Sequence, residues 1–112
     1  MKFILLFLAL PLINQKCGKN KNAIPECVQQ KIDSIQKELR WNPPAEVNEY
    51  SYEGKQVYLF TSNCCDQYNS LYDNDCKDVC APSGGFTGKG DGKCNDFLEK
   101  AKLIKLVWKD TR

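Results

Sequence analysis

Residues 64–94 read CCDQYNSLYDNDCKDVCAPSGGFTGKGDGKC, and this stretch decides what kind of fold the chain forms. Five of the seven cysteines and five of the seven glycines fall inside it. Cysteine and turn-forming glycine at this density describe a segment held by cross-links rather than by a large apolar core. Leu71-Tyr72-Asp73 and Asp78-Val79-Cys80-Ala81 read as two short strands around Asn74-Asp75-Cys76-Lys77, with Pro82 ending the second. Residues 83–93 read as a glycine-rich loop.

Upstream of this stretch the pattern is that of a β-hairpin. Residues 47–52 place Tyr50 and Tyr52 on one face, and residues 56–62 include Val57-Tyr58-Leu59-Phe60, apolar on both faces as in a central strand. Glu53-Gly54 is the expected two-residue turn, with Gly54 supplying positive φ. Further upstream, Val28, Ile32, Ile35 and Leu39 follow at steps of four, three and four, the apolar stripe of an amphipathic helix. Pro25 and Glu26 suit its first turn, and Pro43-Pro44 stop it near Arg40. Trp41 is expected to plug the core.

Downstream, Asn95 or Asp96 can cap a short helix running to about Ala101. In the closing strand, residues 103–109, Ile104, Leu106 and Trp108 alternate with Lys105 and Lys109, the signature of a half-buried strand. The order predicts an α+β fold: a small antiparallel sheet of four to five short strands with an N-terminal helix packed on one face, stabilised by disulfides.

The N-terminal segment has a different character. Lys2 precedes an eleven-residue apolar run, Phe3 to Ile13, the length of a signal-peptide core and too short to span a bilayer. Residues 1–16 therefore read as a signal peptide, 17–23 as a flexible polar linker and 24–112 as a single cysteine-rich domain, exported to a periplasm, cell envelope or external medium. Sixteen Lys and Arg face fourteen Asp and Glu; with Lys2 and Lys16 in the leader, the remainder balances at fourteen each. A neutral domain without a basic run offers no electrostatic case for nucleic acid or for an anionic membrane. Cys17, immediately after the leader, reads either as the lipid-accepting residue of a bacterial lipoprotein or as a leftover thiol in a linker. Membrane attachment is expected only through such a lipid.

The remaining six cysteines, Cys27, Cys64, Cys65, Cys76, Cys80 and Cys94, are expected to form three disulfides, with Cys27 tying the helix to the cysteine-rich half. Their connectivity stays open among about fifteen pairings. Adjacent Cys64 and Cys65 are expected to point to opposite faces of a strand end and join different partners.

Several chemistries do not fit the residues. Gly84 to Gly88-Lys89 is one residue short of a phosphate-binding loop, and Lys93 stands where a dinucleotide fingerprint needs its third glycine. Asp73, Asn74, Asp75 and Asp78 crowd one turn, but Lys77 and Asp78 occupy the fifth and sixth positions of the would-be calcium loop. No histidine and no C-x-x-C pair is present, so the usual zinc and iron–sulfur patterns and the histidine-based nucleophiles are missing. The expectation is a protein with no cofactor, no metal and no catalytic residue.

The motifs CVQQKI, WNPPAEV, YEGKQVY, CCDQY, LYD and CAPSGGFTGKGDGKC, with the closing LVWKDTR, resemble a family of small exported bacterial proteins classified only as a domain of unknown function. The resemblance runs from about Cys27 to Arg112 and implies an envelope or secreted location without an activity or a ligand.

Two functional readings follow from the residues. The first is a non-catalytic binding module for a protein or envelope component, with its recognition surface on the loop at Phe86, Lys89 and Asp91 and on neighbouring Asp66 and Gln67. The second is an extracytoplasmic thiol-redox protein working through Cys64 and Cys65.

Overall fold

The structure is a computed structural model and describes residues 23–112. The expected leader, Cys17 and the linker up to Asn22 lie outside the described residues. The elements in chain order are α1 (Glu26–Gln36), β1 (Glu46–Tyr52), β2 (Lys55–Phe60), β3 (Tyr68–Tyr72), β4 (Asp78–Gly84), α2 (Phe97–Lys100) and β5 (Lys102–Lys109). The strands form one antiparallel sheet in the order β4-β3-β2-β1-β5, so β4 and β5 are its two edges. The expected α+β fold with an N-terminal helix and a five-stranded sheet is what forms.

Both faces of the sheet are covered, each by a different device. On one face Val28, Ile32 and Ile35 of α1 pack on Val47, Tyr58 and Phe60. Burying aliphatic side chains of this size stabilises by about 1.5–3 kcal/mol each. On the other face Tyr52, Val57 and Leu71 meet Phe97 of α2, Cys80 and Cys94. Phe97 is edge-on to Tyr50 and Tyr52 at 5.0 and 5.3 Å, so the two tyrosines do share a face. The turn at Glu53 and Gly54 carries positive φ at both residues, as its position in a two-residue hairpin demands.

The sequence pattern errs in five places, each for a local reason. Leu39 is not part of the α1 stripe but 92% exposed. The helix stops at Gln36, and Arg112 at the far end of the chain takes over its carboxyl end. The Arg112 guanidinium donates from Nη1 to the carbonyls of Gln36 and Glu38 at 2.9 Å each and pairs with buried Asp110 at 2.7 Å. Pro82 does not end β4, which runs to Gly84; on an edge strand a missing N–H need not cost a ladder bond.

Asp96 sits at the N-cap of α2 but makes no side-chain cap bond, because its carboxylate accepts from the Tyr52 hydroxyl and pairs with Lys100 at 3.2 Å. That hydroxyl bond lowers the Asp96 carboxyl and pushes the Tyr52 phenol up to about 12. In β5, Ile104, Leu106 and Trp108 do not share a buried face. Two irregularities in the β1–β5 register place Trp108 opposite Val47 on the α1 side but Leu106 opposite Asn48 on the other. Leu103, Ile104 and Leu106 are consequently exposed.

The fifth correction concerns the cysteines. Three disulfides form: Cys27–Cys76, Cys80–Cys94 and Cys64–Cys65. The first does what the pattern asked of it, since Cys27 joins α1 to the β3–β4 turn; Cys80–Cys94, a pairing the pattern left open, straps the glycine-rich loop to β4. Cys64 and Cys65 pair with each other rather than with different partners. They lie before β3 begins, in a turn and not in a strand, so strand alternation never separates their side chains.

Candidate functional site

The first residue of β3 pairs with the last residue of β4, Tyr68 with Gly84. The segment entering β3 and the loop leaving β4 therefore stand side by side at one end of the sheet. The Gly85 N–H donates to the Gln67 carbonyl at 3.0 Å, and Gln67 N–H closes the preceding turn on the Cys64 carbonyl at 3.0 Å. Asn69 fastens the pair, accepting from Ser62 N–H at 2.8 Å and donating to Ser83 Oγ at 3.0 Å.

The loop beyond Gly84 is tightly wound. Gly84 N–H donates to the Gly88 carbonyl, Gly88 N–H to the Gly85 carbonyl and Gly90 N–H to the Gly84 carbonyl. Gly90 has positive φ, and a Cβ there would fall 2.0 Å from the Ala81 carbonyl oxygen; at Gly85 it would strike the Tyr68 ring at 2.4 Å. Only glycine fits these two positions. Phe86 stands at the tip, 92% exposed, beside half-exposed Tyr68.

Of the residues expected to form a recognition surface, Phe86, Lys89, Asp66 and Gln67 are all exposed and meet at this end, together with the Cys64–Cys65 bridge. Asp91 has a different task. Its N–H donates to the Ala81 carbonyl and its carboxylate accepts from Lys93 N–H at 3.0 Å, a bond that holds the Asp91 carboxyl below its usual range. Asp91 shapes the loop from within.

Around the same end, between α1 and the β2–β3 surface, the chain leaves a groove of about 600 Å³. Ile35, Trp41, Phe60, Tyr68 and Tyr72 give it aromatic and aliphatic walls, and Ser62, Asn63 and Gln67 line it from the loop side. The Lys31 ammonium lies 4.3 Å over the Tyr72 ring. Trp41, read from sequence as a core plug, only partly fills that role. It packs against the α1-side core while its Nε1–H donates to Glu38 at 2.7 Å, leaving the ring half-buried at the groove. Sequence reasoning missed the groove. Its one legible signal is the alternation of Tyr68, Ser70 and Tyr72, which share a face of β3.

The acidic turn at the opposite end is self-satisfied: Asp73 Oδ1 accepts from the N–H groups of Asp75 and Lys77 at 2.9 Å each. Among the described residues no group of three His, Cys, Asp or Glu is placed to hold a metal ion.

The fold and these loops define a class: a small, cysteine-rich α+β domain with three disulfides and an exposed aromatic loop end. The chain belongs to the family described as domain of unknown function DUF6970, which it matches over residues 33–110. The match opens inside α1, so the motif CVQQKI, which begins at Cys27, lies wholly before it. Neither a curated protein nor a solved structure matches the chain.

Proposed function

We propose that the domain is a non-catalytic, extracytoplasmic binding module that recognises a protein or another envelope component with the loop end at Phe86. One observation carries this reading: Phe86 is almost wholly exposed on a loop whose backbone is locked by its own hydrogen bonds and by glycines that admit no side chain. A rigid loop holding out an aromatic ring loses little conformational freedom on binding, and such rings are common anchors of interfaces. Tyr68 and the adjoining groove extend the apolar area, while Lys89, Asp66 and Gln67 supply a polar rim. Export fits the three disulfides, which persist in oxidising compartments, and the apolar run after Lys2.

The test is cross-linking and capture from an envelope extract with the oxidised protein, followed by titration of the captured component. Phe86→Ser should weaken binding by about thirtyfold or more, as truncation of an aromatic anchor does. Undiminished affinity in that variant, with its melting temperature unchanged, refutes the loop as the recognition element.

A second reading has its own observation. The Cys64–Cys65 bridge is exposed, so an attacking thiolate can reach it. If it cycles, mild reductant should open this bridge first and leave Cys27–Cys76 and Cys80–Cys94 closed. Simultaneous opening of all three removes the redox reading and leaves the binding reading intact.

A further inference from the structure

The edge of the sheet farthest from the recognition loops has a chemistry of its own. Residues 100–109 read KAKLIKLVWK, four lysines without an acid. Within them Leu103, Ile104 and Leu106 are 61%, 48% and 51% exposed. The register puts Leu103 and Leu106 on the α2 face of the sheet, opposite Tyr50 and Asn48. Leu98, in α2, is 83% exposed. Lys102 and Lys109, at the two ends of β5, are exposed as well. Exposed leucines flanked by lysines are the composition of surfaces that sit at the headgroup level of a bilayer, where alkyl chains enter and ammonium groups stay wet. Of the four lysines, Lys100 pairs with Asp96, and the register sets Glu46 opposite Lys109.

The chain path points to the same edge. Ala23 and Ile24, where the described domain begins, line a shallow depression together with Lys105, Leu106 and Val107. The membrane attachment legible in the sequence, a lipid on Cys17, lies upstream of Ala23. From Cys17 the chain reaches Ala23 in six residues, at most about 20 Å even fully extended. The chain of an anchored protein therefore enters the described domain beside β5. β4, from which the Phe86 loop departs, lies four strand spacings away across the sheet, about 19 Å.

We propose that the β5 edge, with Leu98, Leu103, Ile104 and Leu106 among Lys102 and Lys109, rests on an anionic lipid surface and turns the Phe86 loop away from it. A second copy of the chain is a poorer occupant. Antiparallel pairing of two β5 strands about their centre sets Lys102 across from Lys109, like charge against like. The two register irregularities also interrupt the regular ladder that an added strand extends.

The experiment uses the full oxidised chain on vesicles of phosphatidylcholine alone and on vesicles that also contain phosphatidylglycerol. On the anionic vesicles, amide hydrogen exchange should slow in residues 98–107 and stay unchanged in residues 84–90. The double variant Lys102→Glu/Lys109→Glu should lose about tenfold or more in affinity for anionic vesicles and bind neutral ones as the parent does. Lys37→Glu/Lys77→Glu, exposed at the end of α1 and in the β3–β4 turn, should change neither. Leu103→Ser/Leu106→Ser, both at exposed positions, should abolish the slowed exchange without lowering the melting temperature. The proposal is overturned by equal affinity of the Lys102/Lys109 variant and the parent, or by protection centred on residues 84–90. Slowed β5 exchange without vesicles, accompanied by sedimentation as a dimer, overturns it in favour of self-pairing.

Discussion

Replacing Cys27 and Cys76 together by alanine removes the cross-link between α1 and the β3–β4 turn and tests how this small domain stays folded. The bridge spans 49 residues. On the chain-entropy account, closing a loop of that size stabilises by about 4 kcal/mol through the unfolded state. The same arithmetic for Cys80–Cys94, with 14 residues of separation, yields about 3 kcal/mol. For Cys64–Cys65, with a separation of 1, it yields only about 0.6 kcal/mol. A domain of this size has about 5–15 kcal/mol in total, so the first bridge alone is a large share. Urea unfolding of the three alanine pairs should therefore rank them 27–76, 80–94, 64–65 in loss of stability. In thermal melts the first pair should fall by roughly 15–30 °C and the last by only a few degrees. A Cys64→Ala/Cys65→Ala variant that loses as much as the Cys27→Ala/Cys76→Ala variant would falsify the loop-closure reasoning. It would show instead that the vicinal bridge holds the packed loop end in place.

Three further outcomes are expected. Tyr58→Phe removes the hydroxyl that donates to buried Glu49 at 3.0 Å, and should cost about 1–3 kcal/mol in urea unfolding; Glu49→Gln, which keeps an acceptor, should cost less. Gly90→Ala should unravel the loop, because its Cβ overlaps the Ala81 carbonyl, whereas Gly88→Ala, with open space around it, should cost only about 1 kcal/mol for its positive φ; exchange rates of residues 84–91 distinguish the two. Hydrogen bonds and charges from Lys93 N–H, Tyr52 and Arg112 hold the carboxyls of Asp91, Asp96 and Asp110 below their unfolded values. The stability they add is complete above about pH 4 and drains as the pH falls through their folded values, so urea midpoints should drop on acidification below pH 4, and less steeply in Asp110→Asn.

Much of the fold was legible in the sequence because the signals were local. The steps from Val28 to Ile35 define one face of a helix, and Glu53-Gly54 between two apolar runs defines a hairpin. Six cysteines in so short a span specify cross-linking, and Cys27, alone in its half of the domain, had to reach across to the cysteine-rich half. The glycines around Phe86 announced a tight loop with an aromatic at its tip, and the structure places Phe86 there. What remained hidden depends on contacts between distant residues. Nothing near Leu39 says that Arg112 will end α1 first, since that bond joins positions 74 and 76 residues apart.

Period-two alternation assigned Leu106 and Trp108 to one face. Whether a strand carries a bulge is decided by its neighbour, and β1 sets the register that separates them. The pairing of Cys64 with Cys65 turns on where β3 begins, which Tyr68 and Gly84 settle between two strands. The groove beside Trp41 exists because a helix and a sheet surface converge, a relation carried by no single segment. Sequence determines what each short stretch prefers. Only the tertiary structure decides which preferences meet, because side chains that are neighbours in space set register, element ends and exposure together.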